Sequence, residues 1–458
     1  MITGGIESNL GPDTFVLFSK VGALSKGKCS PFDKSADGLS QGEGAVVFVL
    51  QRVEDALKDG NKIYGVIKSI GGSSDGKSSS LFSPSSEGQM LALSRAYDGL
   101  DKNEVDYIEC HGTGTKIGDK TELRSLNEFF KGARIPVGSV KSLIGHTKGA
   151  AGAAGLLKCL LSMNNKVIPP SKYIKNPAVP FDAVVHINKK AISIKSKQRP
   201  LRFGVSSFGF GNINYHIVLD EFRSDFAVLK KENTSTDNDE IVVIGQGSAP
   251  SFGIDPKSVE EKFKIPPRSI LQADRVHFQA LWSVADAFER SNIKIGSLDK
   301  ENVFVVSATI LGLDAAIDFA ERVRHFEFKE ALHFLDKKSV DIMIKHKNRF
   351  PEVTEDTGPG ILNNVISGRI CNIFDFKGKN FNVDADLNSF PAALNIVARE
   401  LRSKGGVAVL VFCEEVLDKK KIRVQRKKVS CLLLSTLGLA KKENYPIHEL
   451  IKKIDYHD

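Results

Sequence analysis

Two histidines lie in similar sequence settings. His111 stands in the segment Cys110–Thr115 (CHGTGT), and His146 stands in the segment Lys141–Ala150 (KSLIGHTKGA). A short run typical of a β-strand precedes each segment, at residues 105–110 and 135–140, and a loop or helix follows each one. Two neutral imidazoles that converge on one point would donate two hydrogen bonds to an oxygen that becomes negative during a reaction. The pair is therefore a candidate oxyanion hole.

The residues leave two other interpretations of the pair open. The histidines could be metal ligands, although the third and fourth ligands of a zinc site are not evident. They could also be two unrelated core histidines. His146 stands just before a predicted helix N-terminus, where the helix dipole disfavours the imidazolium ion. We therefore expect a neutral imidazole with one ring N–H to donate.

The predicted helix after His146 contains a glycine at every third position, namely Gly149, Gly152 and Gly155. A glycine in a helix interior costs about 0.5–1 kcal/mol relative to alanine. The stripe therefore predicts a helix face without side chains, against which another backbone lies very close.

Composition indicates a globular protein. The chain has 458 residues, 41% of them hydrophobic, a net charge of +9 and a pI near 9.0. Lysine and arginine are spread along the chain without a zinc-finger or RNA-recognition motif, so an acidic protein partner is expected rather than nucleic acid. The six cysteines show no CxxC pair, which favours reduced thiols in the cytoplasm. No signal peptide and no membrane span are predicted.

Strands that alternate with helices predict an α/β fold with a central sheet. Strands are expected at Gly44–Leu50 and Tyr64–Ile70, and a helix at Pro84–Tyr97 with Ser83 as its cap. A polar linker around residues 230–240 precedes a new strand at Ile241–Gly247. The glycine turn after that strand lacks the third glycine and the helix of a dinucleotide-binding fingerprint.

The histidine segments resemble the two histidine motifs of β-ketoacyl synthases, the condensing enzymes of fatty acid and polyketide synthesis. Four further blocks agree in order: Met1–Gly5, Ser35–Gly44, Gly118-Asp119 with Glu122, and Phe203–Gly211. The resemblance extends from Met1 to about Phe222. It is strongest to synthases of the polyketide and polyunsaturated fatty acid type, and it identifies residues 1–222 as the C-terminal part of such a synthase.

After a linker at residues 223–240, residues 241–458 resemble the N-terminal part of a second synthase. The matching blocks are Phe263–Arg268, Asp356–Gly358, Ser367–Ile370, Phe374–Gly378 and Asn382–Phe390. The last block carries the nucleophilic cysteine in active synthases, and Leu387 stands at that position here. A leucine forms no thioester. This half is therefore similar to a chain-length factor, a pseudo-synthase that pairs with an active one.

A weak internal repeat accompanies the resemblance. Residues Val429–Ile454 align with Ala45–Ile70, and both stretches open on a run typical of a buried strand. The resemblance implies a thiolase-like layered α/β/α/β/α architecture, which we expect to be incomplete in both units.

The resemblance also implies roles for individual residues. His111 and His146 would hold the malonyl thioester oxygen, with Thr113 and Thr115 in support. Lys141 would tune the field together with Glu122, the alternative being an exposed ion pair. Phe208 and Phe210 would gate the acyl pocket, Phe210 being the better candidate and core packing the alternative. Asn212 stands where the family usually has glycine, which predicts a tighter or less mobile turn.

The expected function is decarboxylative condensation of a malonyl-carrier with an acyl thioester. No bound cofactor is expected, and substrates would arrive on the phosphopantetheine arm of an acyl carrier protein. The expected partner is a synthase polypeptide that supplies the cysteine-bearing half, or a second copy of this chain in a homodimer. Cys110 is a poor nucleophile candidate because the end of a buried strand is usually inert. A non-catalytic scaffold or truncated product and a malonyl-carrier decarboxylase remain alternatives. The basic cluster Lys419–Lys428 is expected to be a solvated loop, with contact to an acidic carrier as the alternative.

Overall fold

The computed structural model describes residues 1–78, 80–178, 184–226, 240–250, 254–310, 313–331, 336–348, 350–418 and 423–451. The chain forms two compact units. The first consists of Met1–Ser73, Ser83–Gly209 and Asn214–Asn233, and the second of Ser74–Phe82, Phe210–Ile213 and Thr234–Asp458. Two short segments that sequence analysis places before the linker therefore belong to the second unit. Most of the linker, at residues 227–239, lies outside the described residues, as do residues 419–422 of the basic cluster.

The first unit is built on a six-stranded sheet with the order β3-β10-β9-β4-β5-β7. β4 runs parallel to β5 and β9, and β5 runs parallel to β7. Its elements are β1 (Ile2–Glu7), α1 (Pro12–Lys20), β2 (Gly44–Val49), α2 (Val53–Lys58), β3 (Val66–Ser74), α3 (Ser86–Ala96), β4 (Val105–Glu109), α4 (Lys116–Phe129), β5 (Ile135–Gly138), α5 (Lys141–Ile144), α6 (Ala151–Asn165), β6 (Val167–Ile168), β7 (Val185–Ile187), β8 (Ile192–Ser193), β9 (Arg202–Gly209) and β10 (Ile213–Asp220).

Two apolar cores cover the two faces of this sheet. Successive residues of a strand point to opposite faces, and Ile108 of β4 packs with Leu93 of α3 and Leu126 of α4. Tyr107, one residue earlier, packs with Cys159 of α6 on the other face. The helices α3 and α4 thus cover one face of the sheet and α6 covers the other, which fixes the carboxyl end of β4 between two packed layers.

The glycine stripe after His146 only partly matches the expectation of a close second backbone. An added Cβ at Gly149 would lie 3.2 Å from the backbone oxygen of Ile6, but Gly149 precedes α6 in a 3₁₀ turn. At Gly152 and Gly155 the nearest atoms belong to side chains, those of Ser207 and Glu109. The close-packing prediction is therefore wrong for these two positions, because β4 and β9 send side chains rather than backbone to α6.

The second unit is built on a six-stranded mixed sheet with the order β13-β12-β14-β15-β11-β16. β12 runs parallel to β13 and β14, whereas β15 runs antiparallel to β14 and β11. Its elements are β11 (Ile241–Ser248), α7 (Pro256–Phe263), α8 (Pro267–Gln272), α9 (Arg275–Ser291), β12 (Val303–Ala308), α10 (Asp314–Val323), α11 (His325–Ala331), α12 (Lys337–Lys347), α13 (Thr357–Ile361), α14 (Asn364–Phe374), β13 (Asn380–Val383), α15 (Ser389–Lys404), β14 (Val407–Asp418), β15 (Arg423–Thr436), α16 (Leu437–Lys442) and β16 (Glu449–Ile451).

Apolar clusters again cover both faces of the sheet. One cluster joins β11 and β12 to α9 and α14, and the other joins the same strands to α15. None of the described helices combines the length and the apolar character that crossing a membrane requires.

The weak repeat between the two units has a structural counterpart. The alignment of Ala45 with Val429 places β2 on β15 and superimposes the bounds of α2, Val53–Lys58, on those of α16, Leu437–Lys442. Each strand also pairs antiparallel with a preceding strand, β2 with β1 and β15 with β14. In the second unit β14 and β15 pair on their outer edges with β12 and β11, whereas in the described part of the first unit β1 and β2 form a sheet of two strands.

The expected cap of α3 needs a correction. The helix begins at Ser86 rather than Pro84, and the side-chain oxygen of Ser85, not Ser83, accepts the N–H of Gly88 at 3.3 Å. Pro84 precedes the capping residue, so its missing N–H costs no helical hydrogen bond.

A substitution at Gly71 can test how closely β3 packs on α3. An added Cβ would overlap the carbonyl oxygen of Ala92 and lie 2.5 Å from the amide nitrogen of Ala96. We predict that Gly71→Ala lowers the free energy of unfolding by about 1–3 kcal/mol, because backbone atoms must move. Urea unfolding measures the change. The control Gly27→Ala meets no atom within 4 Å and should stay within about 0.5 kcal/mol; equal effects of the two substitutions would contradict the packing described.

Candidate active site

The loop that carries His111 is held by two carboxylates of α4. Glu122 accepts the backbone N–H of His111 at 2.7 Å and that of Gly112 at 2.8 Å. Asp119 accepts the N–H of Gly114 at 3.0 Å. The two acidic residues are three positions apart and therefore lie on the same face of the helix. Their hydrogen bonds fix the loop immediately after β4.

The backbone of His146 is held by a different segment. Its N–H donates to the carbonyl oxygen of Ser40 at 2.7 Å, and its own carbonyl accepts the N–H of Gly42 at 3.1 Å. The ring is oriented as well, because Nδ1 accepts the backbone N–H of Lys148 at 3.0 Å. In the neutral ring the proton must then sit on Nε2. His146 therefore presents one N–H donor.

The structure brings the two rings together. The centroids of His111 and His146 are 5.4 Å apart and the rings are nearly perpendicular, with an interplanar angle of 83°. Buried Nδ1 of His111 has no hydrogen-bond partner among the described residues. Unpaired polar atoms of this kind are costly unless something binds to them. The pair thus leaves one buried ring nitrogen of His111 available for a hydrogen bond.

Both histidines are neutral near pH 7. Burial, the Lys141 ammonium and the neighbouring His146 lower the pKa of His111 well below its ordinary value of 6.5. Burial, Lys141 and Lys148 lower the pKa of His146 to about 3. The neutral form agrees with the expectation from the sequence. Its main cause is burial, with Lys141 contributing at both rings, and the contribution of the helix dipole stays a prediction.

Lys141 and Glu122 are both buried, with 3% and 2% of their surfaces exposed, so the interpretation as an exposed ion pair is wrong. Burial lowers the pKa of Lys141, and the carboxylates of Glu109 and Glu122 oppose that lowering. Burial likewise raises the pKa of Glu122. Lys141 is therefore buried together with acidic groups that favour its charged form.

The other predicted site residues are two threonines in the His111 loop and two phenylalanines, the candidates for the gate of the acyl pocket. Thr113 and Thr115 hydrogen-bond to each other through their hydroxyls at 2.9 Å in the His111 loop. The Phe208 ring lies 5.5 Å from that of His111. Phe210 belongs to the second unit, where its ring packs on Phe82 at 4.5 Å. Of the two gate candidates, the structure thus brings Phe208 to the histidines.

The turn around Asn212 accommodates an asparagine at a position where the family usually has glycine. Asn212 has a φ of +60°, a left-handed conformation that asparagine tolerates better than most residues. Its side-chain amide donates to the Ser78 hydroxyl at 3.1 Å. The second unit therefore holds this turn through a side chain that glycine would lack.

Leu387 lies in the turn between β13 and α15. Its surface is 58% exposed, and the preceding Asp386 has a φ of +53°. The hydroxyl of Ser389 closes the turn by donating to the Asp386 carbonyl at 2.6 Å. The turn thus presents an apolar side chain at the position that the family pattern reserves for a nucleophile.

The structure bears on two alternatives, a cysteine nucleophile among the six thiols and a metal site at the histidines. All six cysteines are buried, and none forms a disulfide. Burial and the Glu122 carboxylate raise the pKa of Cys110 well above 9, so its thiol is protonated and unreactive. Among the described residues no group of three His, Cys, Asp or Glu side chains is arranged to hold a metal ion.

Sequence analysis missed one buried network beside the site. Glu109, at the end of β4, forms an ion pair with Lys158 of α6 at 2.6 Å. It also accepts the N–H of Val140 at 2.5 Å and the hydroxyl of Tyr107 at 2.7 Å. A charged residue inside an apolar strand and a lysine inside an apolar helix were the signals that could have identified the pair.

Comparison with known protein families decides the assignment. The family model described as "Beta-ketoacyl synthase, N-terminal domain" matches residues 1–56 and 246–430, and that described as "Beta-ketoacyl synthase, C-terminal domain" matches residues 64–175. The chain belongs to the β-ketoacyl synthase family. The resemblance drawn from the sequence is thereby confirmed.

Similar synthases are large proteins. One polypeptide of the phenolphthiocerol/phthiocerol polyketide synthase of Mycobacterium tuberculosis is 41% identical over 231 residues, 48% of this chain and 12% of that protein. One polypeptide of the polyunsaturated fatty acid synthase of Thraustochytrium is 36% identical over 251 residues, 51% of this chain and 9% of that protein. This chain thus spans about a tenth of the length of these relatives.

A solved structure shows the fold of this β-ketoacyl synthase family member. The structure titled "PfaC Keto synthase-Chain length factor" has a TM-score of 0.79 and 23% sequence identity. The match covers 96% of this chain and 55% of that chain. The thiolase-like layered α/β class expected from the sequence is confirmed by this match.

The protonation of the two histidines can be measured by NMR. We predict that His146 stays neutral between pH 5 and pH 8 with its proton on Nε2, because burial and nearby lysines lower its pKa to about 3. Between pH 6.5, the ordinary pKa of a histidine, and about pH 3, His146 binds a proton in the unfolded chain but not in the folded protein. The free energy of unfolding should therefore fall as the pH is lowered through this range. Long-range ¹H–¹⁵N spectra identify the tautomer; a proton on Nδ1, or a pKa near that of the urea-unfolded chain, would contradict the geometry.

Proposed function

We propose that the first unit carries the enolate-stabilising part of a decarboxylating condensing site. The observation that supports this most is the pair of neutral, partly buried histidines whose ring centroids are 5.4 Å apart. When malonyl-carrier loses carbon dioxide, the electrons of the broken C–C bond move onto the thioester oxygen. One N–H from each ring would stabilise this oxygen, and each donor of such a hole is typically worth about 2.7–4 kcal/mol of barrier.

The condensation then joins the enolate to an acyl thioester. The enolate carbon attacks the acyl carbonyl carbon, and the thiolate that held the acyl group leaves. Lys141 would stabilise the growing negative charge through the local field, and Thr113 and Thr115 would support the His111 loop. Phe208, beside His111, is the better gate for the acyl chain in this proposal.

The acyl group requires a cysteine that the described sites do not offer. Leu387 occupies the family's nucleophile position in the second unit, and the six thiols are buried. We propose that the second unit acts like a chain-length factor and that a synthase half with a nucleophilic cysteine completes the site of the first unit. That half would come from another polypeptide.

The unpaired strand edges of the first unit support such a partner. In the second unit the equivalent strand pair, β14 and β15, is extended by β12 and β11. The pair β1 and β2 exposes apolar side chains instead, with Ile6 67% and Val47 63% exposed. Beside it lies a cavity of about 500 Å³ lined by Val46, Ala154, Leu157 and Leu161 among others. Apolar surfaces of this kind mark interaction sites.

Substrates would be delivered on the phosphopantetheine arm of an acyl carrier protein. The net charge of +9 would favour an acidic carrier. The six cysteines, none of which forms a disulfide, support a reducing compartment, which we take to be the cytoplasm.

A malonyl-carrier decarboxylase is the second candidate. Carbon dioxide release needs the two histidines but no cysteine, so the first unit could carry out this step without acyl transfer. A non-catalytic scaffold is the remaining alternative, and it predicts that the histidines can be replaced without consequence.

Replacement of either histidine separates these possibilities. We predict that His111→Ala and His146→Ala each slow carbon dioxide release from malonyl-carrier about 10²–10³-fold, because one donor to the enolate oxygen is lost. Release of labelled carbon dioxide measures the rate. The exposed His448 of the second unit provides the control His448→Ala, which should leave the rate unchanged. Equal rates in all three variants would contradict the proposed function.

The proposed partner surface can be tested by charge insertion. We predict that Val47→Asp prevents association with a cysteine-bearing synthase half, because an aspartate on β2 would be buried without a counterion. Light scattering of the mixed proteins measures association. Ile342→Asp on α12 is a matched control, since Ile342 is 59% exposed. Association that survives Val47→Asp would show that this surface does not bind the partner.

A further inference from the structure

Glu109 connects the two segments that carry the histidines. It ends β4 two residues before His111, so the chain itself links it to the first histidine loop. One of its carboxylate oxygens, Oε1, accepts the backbone N–H of Val140 at 2.5 Å. Val140 directly precedes Lys141 and the segment that continues to His146. A single carboxylate thus spans the two halves of the histidine pair.

The second carboxylate oxygen is held in a closed triangle. Oε2 of Glu109 accepts from Lys158 at 2.6 Å and from the Tyr107 hydroxyl at 2.7 Å. Lys158 also donates to the Tyr107 hydroxyl at 2.8 Å. All three side chains are buried, Glu109 being 1% exposed. Both oxygens are therefore fixed, and the carboxylate cannot rotate without breaking a hydrogen bond.

Gly155 of α6 makes room for this arrangement. A Cβ at that position would lie 3.1 Å from the Cγ atom of Glu109. The helix can therefore approach β4 closely enough for Lys158, one turn further along, to reach the carboxylate. A buried ion pair contributes little net stability compared with apolar residues of similar size. Stability alone is thus a poor explanation for two charges at this place.

The electrostatic surroundings of Lys141 indicate a role for the Glu109 carboxylate. Burial lowers the pKa of Lys141, and Glu109 is the foremost of the charges that oppose this, ahead of Glu122. Glu122 is occupied with the N–H groups of the His111 loop. Glu109 is thus the carboxylate tied to the segment that carries Lys141 itself.

We propose that Glu109 is a positioning residue, which fixes the segment bearing Lys141 and His146 relative to His111. Lys158 and Tyr107 hold its carboxylate in the required orientation. Glu109 touches no reacting atom and acts through the residues that it holds. This inference rests on the proposed function of the histidine pair and extends it to the residues behind the site.

Paired substitutions separate this role from a merely structural one. In Glu109→Leu/Lys158→Met both charges of the ion pair and the acceptor for Val140 are replaced by side chains of similar size, so neither Glu109 nor Lys158 is left buried without the other. We expect a folded protein in which kcat for carbon dioxide release falls about 100-fold, since a displacement of about 1 Å has that effect, while KM changes little. Glu109→Gln/Lys158→Met restores an acceptor for Val140 and should recover part of kcat.

A second ion pair in the same unit supplies the control. Arg202 and Asp220 are 2.8 Å apart, and Arg202 pairs with Val105 at the opposite end of β4 from the histidines. Arg202→Gln/Asp220→Asn should change the unfolding midpoint without lowering kcat. If Glu109→Leu/Lys158→Met is folded and its kcat stays within threefold of that of the unsubstituted protein, the inference is wrong.

A measurement that does not need activity keeps the two proposals apart. Absence of carbon dioxide release from the unsubstituted protein would overturn the proposed function only. In that case NMR still tests the positioning role: Glu109→Leu/Lys158→Met should weaken the nuclear Overhauser contact between the His111 and His146 rings and speed exchange of the Val140 amide hydrogen. Persistence of both the ring contact and the amide protection would overturn the inference.

Discussion

The histidine site depends on buried carboxylates that accept backbone N–H groups. Glu122 holds the amides of His111 and Gly112, and Glu109 holds the amide of Val140. A carboxylate without partners would be too costly to bury, whereas two or three N–H donors make its burial tolerable. The same bonds impose the loop geometry on both sides of the site. The position of the rings is thus a consequence of how negative charge is satisfied beneath them.

Burial also sets the chemistry of the site. Charged imidazoles would repel Lys141, and one of them would make a second hydrogen-bond donor unnecessary. The low pKa values of His111 and His146 keep both rings available as neutral donors. Burial also lowers the pKa of Lys141, and the carboxylates of Glu109 and Glu122 oppose this effect. A site arranged in this way favours negative charge at one point while holding no charge on the donors themselves.

The two units contain related strand pairs whose surroundings differ. The antiparallel pairs β1–β2 and β14–β15, followed by the equivalent helices α2 and α16, share one local design. In the second unit further strands extend the pair, and the turn after β13 presents Leu387. In the first unit the rings of His111 and His146 lie together, and apolar side chains of β1 and β2 are exposed.

Local patterns predicted much of this structure. The runs before His111 and His146 are strands, and the repeat between Ala45 and Val429 places α2 on α16 in register. Contacts between distant segments could not be predicted in the same way. The hydrogen bond from His146 to Ser40, and the ion pair of Glu109 with Lys158 across 49 positions, depend on how β4, α6 and the loops pack. The start of α3 differed because Ser83 and Ser85 are equally suited to cap a helix in local sequence terms.

The most direct test of the account is the mass of the carrier-bound product when this chain is mixed with a cysteine-bearing synthase half, acyl-carrier and isotopically labelled malonyl-carrier. The account predicts a condensed β-ketoacyl-carrier that contains the label in the complete mixture, and its loss when His111 and His146 are both replaced by alanine. Condensed product that persists without the two histidines would contradict the claim that the pair stabilises the enolate.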